Sequence, residues 1–259
     1  MHWILQDHFI SEPGRSALIA ALDRFGISYS VHTVVPKVGE LLPEPALTHQ
    51  NVICIGSYSL RAAVAGNGWT PGLFDIFAQD FEQLRAHWGN HLLNFNSVVC
   101  PLKEAVFTEE SMFVRPANDS KYFSGRVFTR LEFATWKRSI CDSDSNHGTS
   151  LSPDTRIQLS MPVTIFAEHR FWVVKGQLIT HSVYKRGGQV THSSDADQRL
   201  FQFVEERIGE WMPHETFVLD VCDTPDGIKI VEINTLNSSA FYAADVQRLV
   251  MALEDAYSQ

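Results

Sequence analysis

Three oxygen-bearing side chains sit on two strand-like runs near the end of the chain. Asp220 lies in Phe217-Val218-Leu219-Asp220-Val221, and Glu232 and Asn234 lie in Ile230-Val231-Glu232-Ile233-Asn234. Side chains alternate along a strand, so Glu232 and Asn234 share one face, and a paired strand can set Asp220 beside them. Two carboxylates and an amide oxygen form a hard-oxygen site suited to Mg2+, which takes few protein ligands and fills its shell with phosphate oxygens and water. A polar sheet face open to water uses the same residue types, but the apolar neighbours favour the metal site. Arg115 stands inside the apolar run Met112-Phe113-Val114-Arg115-Pro116, where a buried guanidinium needs an anionic partner. Lys121 follows across a turn, with Ser124-Gly125 beyond it. Such a strand-loop-strand element can close over phosphates, or it can be a surface hairpin with solvated charges; it lacks the Walker A pattern. In Ala167-Glu168-His169-Arg170-Phe171-Trp172 the alternation puts Glu168, Arg170 and Trp172 on one face. Glu168 can accept hydrogen bonds from ribose hydroxyls, and Arg170 can stabilise a phosphoryl group in transfer. An ordinary cross-strand Glu–Arg pair, worth little when exposed, is the competing reading. Lys185, in Ser182-Val183-Tyr184-Lys185, faces either the same pocket or solvent.

These residues need elements to hold them. Trp3 to Leu5, Ser28 to Val35 and Asn51 to Ile55 read as strands. Leu18, Ile19, Leu22 and Phe25 recur at helical spacing before Gly26, and Ser59 to Ala65 reads as a second helix. The alternation predicts an open α/β lobe over residues 1–95. It has no GxGxxG after the first strand, so it is not a dinucleotide site, and Gly56-Ser57-Tyr58-Ser59 reads as a helix cap that can also meet an anion. Ser111 to Pro116, Phe123 to Thr129 and Ile157 to Met161 are predicted strands, and Leu131 to Ile140 is a predicted helix. Cys141 to Ser152 is a polar loop. Together they define a central segment, residues 96–160. Residues 161–259 form an antiparallel region. Val163 to Val174 turns at Gly176-Gln177 into Leu178 to Tyr184, then a helix runs from Asp197 to Glu210. Two strands follow across Thr224-Pro225-Asp226-Gly227, and a last helix covers Asp245 to Tyr257.

The chain has 259 residues, 21 Lys and Arg against 30 Asp and Glu, and a formal net charge of -9. That balance argues against a nucleic-acid groove, which needs clustered cations. It leaves room for a local basic pocket. Four dispersed cysteines fit neither a disulfide framework nor zinc spacing. The absence of a leader-like start and of a membrane-length apolar run predicts a cytoplasmic protein with no membrane partner. His169 and His181 read as structural, and Cys100 as a buried thiol.

The runs FVRPANDSKYFSG, AEHRFWVVKGQLITHSVYK and FVLDVCDTPDGIKIVEINTLNSSAFY, in that order, resemble the ATP-grasp superfamily. More narrowly, they resemble its clade named for two arginines and one lysine, over roughly residues 98 to 245. The resemblance implies an ATP-grasp fold of mixed α/β and α+β character, with an N-terminal α/β lobe and two α+β subdomains around ATP. It implies ATP and Mg2+ as cofactors. It gives Arg115 the place of a phosphate-binding cation in the strand before the lid, Lys121 a place in the lid, and Lys103 that of an earlier phosphate contact. Leu159 and Ser160 fall at the hinge that meets adenine through the backbone. Glu168 matches the ribose-binding acid, Arg170 the residue near the reacting phosphate, and Asp220, Glu232 and Asn234 the metal ligands. The lid is shorter and less glycine-rich than in other ligases of this type. The implied activity is a carboxylate–amine ligase that forms an amide or peptide bond through an acyl phosphate, with Arg170, Arg115 and Lys185 as the catalytic cations. A phosphotransferase on the same fold, or a nucleotide-binding module without catalysis, shares these motifs. Small-molecule or peptide acids and amines are the expected substrates.

Overall fold

A computed structural model describes residues 1–8, 14–36, 38–77, 79–118, 122–142, 151–195 and 197–258. Lys121 and most of the expected polar loop from Cys141 to Ser152 lie outside these residues. The chain divides into two compact units, one of residues 1–77 with 165–259, the other of residues 78–164.

The first unit begins with an open sheet. Its strands are β1 (His2–Gln6), β2 (Ser28–Val34), β3 (Leu41–Leu42), β4 (Asn51–Ile55) and β5 (Thr70–Gly72), in the order β3-β2-β1-β4-β5. β1 runs parallel to both β2 and β4, β4 runs parallel to β5, and β3 closes one edge antiparallel to β2. Parallel strands are covered on both faces, which is why Trp3, Ile4 and Leu5, and likewise Val52, Ile53 and Cys54, are buried without alternation. Helix α1 (Arg15–Phe25) connects β1 to β2 and buries Leu18, Ala21 and Leu22, one stripe at helical spacing. It stops at Gly26, whose left-handed conformation lets its N–H reach the last carbonyls. Helix α2 (Arg61–Asn67) follows β4.

The second unit starts with α3 (Phe81–Trp88), capped by the Asp80 carboxylate. Strands β6 (Val98–Pro101), β7 (Ser111–Pro116), β8 (Arg126–Thr129) and β9 (Arg156–Ser160) form an antiparallel sheet ordered β6-β9-β7-β8. Helix α4 (Arg130–Cys141) packs on it and begins with a capping box between Thr129 and Glu132. Its Phe133 stacks on Phe107 at 4.2 Å, over a core of Met112, Val114, Phe128, Ile157 and Leu159.

The chain then returns to the first unit with β10 (Ala167–Val174), β11 (Gln177–Arg186), β12 (Gln189–Ser193), α5 (Gln198–Glu210), β13 (Phe217–Thr224), β14 (Gly227–Asn234) and α6 (Val246–Tyr257). The five strands make a second sheet, antiparallel throughout, ordered β12-β11-β10-β13-β14. On one face Phe171 and His181 pack against Phe201 of α5. On the other, Trp172 and Val218 join Leu249 and Val250 of α6 and Trp3, Leu18 and Ile53 of the N-terminal lobe in one core. The first 77 residues and the last 95 are therefore welded through shared apolar burial.

Gly14, just before α1, sits at a close approach in that weld. It has φ +86°, and a Cβ there would fall 2.7 Å from the Phe241 Cβ. Gly26 also has positive φ, at +65°, but open space around it. Gly26→Ala is expected to cost about 1 kcal/mol, from backbone strain alone. Gly14→Ala is expected to cost more than about 2 kcal/mol, because Phe241 must also move. Urea unfolding of both variants measures the difference; equal losses would show that the 241 segment yields freely.

Candidate active site

Arg170 and Asp220 are directly opposed on neighbouring strands of the second sheet, and both point to the face that carries Trp172. Arg170 donates from Nε to Asp220 Oδ1 and from Nη2 to Oδ2, each at 2.8 Å, a bidentate fork. Asp220 is 1% exposed and Arg170 9%. Burial alone works against the guanidinium charge, but the Asp220 carboxylate more than reverses that and holds Arg170 firmly protonated. Burial pushes the Asp220 carboxyl up; Arg170 opposes this, while Glu232 and Glu168 add to it.

Glu232 stands opposite Asp220 in register on β14, and Asn234 lies two residues on, on the same face. The Asn234 Nδ2 donates to Asp220 Oδ2 at 3.1 Å and to Glu232 Oε1 at 3.3 Å. It thus lies between the two carboxylates. A half-turn of the amide presents its oxygen there instead. Two carboxylates gathered around one side-chain amide, whose oxygen can turn inward, fit the hard-oxygen chemistry of Mg2+. No group of three or more His, Cys, Asp or Glu able to hold a metal occurs among the described residues.

At the other side of Arg170 a β-bulge reshapes the surface. Glu168 opposes Lys185 and His169 opposes Val183, so Tyr184 is the extra residue on β11. A bulge lets consecutive side chains lean to one face. Tyr184 donates its hydroxyl to Glu168 Oε2 at 2.8 Å, and Lys185 Nζ meets Glu168 Oε1 at 2.8 Å. Burial, followed by the charges of Asp220 and Glu168, pushes the Tyr184 phenol far above its ordinary range, so it remains a donor. Both oxygens of Glu168, the residue matched to a ribose-binding acid, are met by neighbouring side chains.

The segment after β14 crosses this same face. Ser182 Oγ accepts the Ala243 N–H at 3.1 Å, Thr180 Oγ1 accepts the Asp245 N–H at 2.9 Å, and Arg170 Nη1 reaches the Ala240 carbonyl at 3.5 Å. Between these pins Tyr242 adopts φ +50°, an uncommon conformation for a bulky residue. Its ring stacks on Tyr184 at 5.4 Å, with His192 tilted against it at 4.9 Å. The Arg170 guanidinium lies 5.4 and 5.2 Å from the Tyr184 and Tyr242 centroids. Sequence reasoning named the runs containing Tyr184 and Tyr242 but not this stack. A bulge and a positive φ at tyrosine leave no local signature.

In the second unit Arg115 is half-buried on β7, opposite Gln158 of β9. Gly125 approaches it so closely that a Cβ would lie 3.1 Å from the Arg115 Cβ and 2.7 Å from the Phe113 ring. Lys103 is half exposed and directs its ammonium to Asp154, at 2.6 Å. Leu159 buries its side chain in the core and pairs with both Val98 and Val114, so its backbone belongs to the sheet. Ser160, the last residue of β9, is buried, and its Oγ has no hydrogen-bond partner among the described residues. Lys121 lies outside the described residues. Thus Arg170, Asp220, Glu232, Asn234, Glu168 and Lys185 are brought together on one sheet face, while Arg115, Lys103, Leu159 and Ser160 belong to the other unit.

Replacing Arg170 by Met leaves Asp220 buried without its partner. That is expected to destabilise the first unit by roughly 3–5 kcal/mol. Adding Asp220→Asn should recover much of the loss, because no uncompensated charge remains. A double-mutant cycle in denaturant checks this; strict additivity of the two losses would show that the fork carries no coupling.

Several solved structures share this architecture from end to end. An ATP-grasp RimK domain protein from Sphaerobacter thermophilus superposes with a TM-score of 0.63 at 14% identity, covering 100% of both chains. The D-alanine–D-alanine ligase of Bacillus anthracis complexed with ATP gives 0.64 at 10% identity, covering 100% of this chain and 97% of that one. The D-cycloserine synthetase DcsG gives 0.59 at 13% identity, covering 98% and 99%. No curated protein matches at the level of sequence. A family model for the ATP-grasp domain, family 3 of the clade named for two arginines and one lysine, matches residues 66–253. With that match over most of its length, and the fold it shares with these structures, the chain belongs to the two-arginine, one-lysine clade of the ATP-grasp family.

Proposed function

We propose that the protein is an ATP-dependent ligase that joins a carboxylate to an amine, releasing ADP and phosphate. The observation that carries this reading is the sheet face where the Arg170–Asp220 fork stands beside Glu232 and Asn234. A fixed cation next to a hard-oxygen donor set is what phosphoryl transfer requires, since its catalysis is mostly positioning and charge stabilisation. Structural relatives that include a D-alanine–D-alanine ligase and a D-cycloserine synthetase support the ligase class.

In the proposed reaction a substrate carboxylate oxygen attacks the γ-phosphorus of ATP. The bond from that phosphorus to the β–γ bridging oxygen breaks, and ADP leaves with an acyl phosphate formed. The amine nitrogen then attacks the acyl carbon, the carbon–oxygen bond to phosphate breaks, and the amine loses its proton. Arg170, held rigid by Asp220, supplies positive charge to the transferring group. Glu232, Asn234 and Asp220 would hold Mg2+, which would supply positive charge against the phosphates. Glu168 and Lys185 flank Arg170 as a charge-balanced pair, with Glu168 available to ribose and Lys185 to phosphate if that pair opens. Arg115, Lys103, Lys121, Leu159 and Ser160 are assigned to ATP within the same proposal.

Purified protein with Mg-ATP and paired amino acids should release ADP and phosphate in equal amounts and form a product lacking phosphorus. Glu232→Gln should lower turnover at least about 100-fold while leaving the melting temperature within a few degrees. A phosphorylated product would replace the ligase by a phosphotransferase, and unchanged turnover in Glu232→Gln would remove the metal assignment.

A further inference from the structure

Arg15 is the first residue of α1, a helix of eleven residues with no side-chain cap at its N-terminus. The side chain is 2% exposed. Its Nη1 donates to the main-chain oxygen of Gln6, the last residue of β1, so the guanidinium lies over the carboxyl end of that strand. Its Nε and Nη2 are buried and have no hydrogen-bond partner among the described residues. No ion pair to Arg15 occurs among the described residues; Asp7 acts on it only at longer range, and is itself bonded to Thr33 and to the His8 N–H. A buried guanidinium left two-thirds unmet is costly, and such a group calls for a missing acceptor.

The pair left open is significant. Nε and Nη2 share one edge of the guanidinium, and this chain uses that edge to fork a carboxylate twice elsewhere. Arg170 does so with Asp220, and Arg61 with Asp75 at 2.9 Å for each bond. At Arg15 the fork is formed and no carboxylate among the described residues fills it. The location adds a second reason. Strand order β3-β2-β1-β4-β5 reverses direction between β1 and β4, and ligands of open α/β sheets bind outside the carboxyl ends of the strands at such a point. Gln6 and the loop after β4 line it: Gln6 Oε1 accepts the Ser57 N–H at 2.8 Å, and Gln6 Nε2 donates to Ser59 Oγ at 3.2 Å. The N-terminal end of α1 contributes a positive dipole.

The residue before α1 and the loop after β4 abut the segment that crosses the Arg170 face. Gly14 lies against Phe241 and Tyr242, and Gly56 exchanges hydrogen bonds with Asn237, at 2.8 and 3.1 Å. We propose that Arg15 is a carboxylate-binding residue: with the α1 N-terminus it holds a carboxylate of the amine substrate, one that is recognised and not activated. The assignment rests on the ligase reading for the word substrate. It implies that the amine substrate is an amino acid or peptide with a free carboxyl group.

Two measurements on the full chain separate this inference from the reaction itself. ADP release with Mg-ATP tests the ligase reading. Calorimetric binding of each amino acid and of its carboxamide, with ADP present, tests Arg15. A productive fork predicts at least one amino acid that binds about 10- to 100-fold tighter than its amide. Arg15→Met should erase that ratio and leave ADP affinity unchanged. Arg15→Lys keeps the charge but cannot fork, and should lose most of the ratio; it serves if the Met variant fails to fold. Equal binding of acid and amide by the wild type overturns the inference, as does a ratio that survives in either variant. A variant that only lowers the melting temperature, with the ratio intact, makes Arg15 structural. Silence in the ADP assay with the binding ratio present would reject the ligase and keep the subsite.

Discussion

The Arg170–Asp220 fork is the constraint around which the first unit is built. Two charges leave water at the centre of a five-stranded sheet, which costs several kcal/mol per ion before any compensation. The compensation is geometric: both carboxylate oxygens take a guanidinium bond, Asn234 supplies another donor to Oδ2, and the Ala240 carbonyl meets Nη1. This arrangement needs β10 and β13 to be neighbours in one register, since a shift of one residue would send the two groups to opposite faces. The sheet face is therefore divided. Trp172 and Val218 lie at one end under α6 and the N-terminal lobe, and the charged cluster lies at the other.

The boundary between those halves is set by hydroxyls. Thr180 and Ser182 are polar residues on an otherwise buried stretch of β11, and each accepts a main-chain N–H of the crossing segment 243–245. Without them that segment would carry unsatisfied amides over an apolar surface. Pinned there, the chain turns through the positive φ of Tyr242 and lays its ring on Tyr184. The aromatic pair then flanks the one guanidinium that the fork has already immobilised. A side chain with few remaining rotamers costs little entropy when it meets a ligand, which is the usual advantage of such preorganisation.

What the sequence made legible follows from periodicity. The β13–β14 hairpin could be read from its turn, and alternation alone put Glu232 with Asn234 and Arg170 with Trp172. The hairpin after β10 was expected to turn at Gly176-Gln177; it turns at Lys175-Gly176, with Lys175 at φ +48°, because a Lys in a left-handed position carries no turn signal. Helix α3 went unread, since eight residues give barely two turns of period. The bulge at Tyr184 depends on pairing with β10, and the weld of Trp3 and Leu18 to Trp172 and Leu249 joins segments far apart in the chain. Neither is a local property. Asn237 is similar: it is fully buried and ties Gly56 and Phe74 to the segment after β14, yet its neighbours in sequence announce only a polar loop.

The charge balance at the polar end bears on the order of events. Asp220, Glu232 and Glu168 face Arg170 and Lys185, formally three negative groups against two positive. A surface with one excess negative charge does not attract a polyphosphate, whatever the merits of a single arginine. Under the proposed reading, the triphosphate must arrive with its divalent cation, which turns the local balance positive. The Asn234 amide is the group that must respond. It now donates to both carboxylates, and it can serve a cation only by turning its oxygen inward. Such a turn would remove a donor from Asp220 Oδ2 and leave the Arg170 fork to carry more of the Asp220 charge. An aspartate in place of Asn234 could not make this exchange, because a third carboxylate would repel the other two whenever the cation was away.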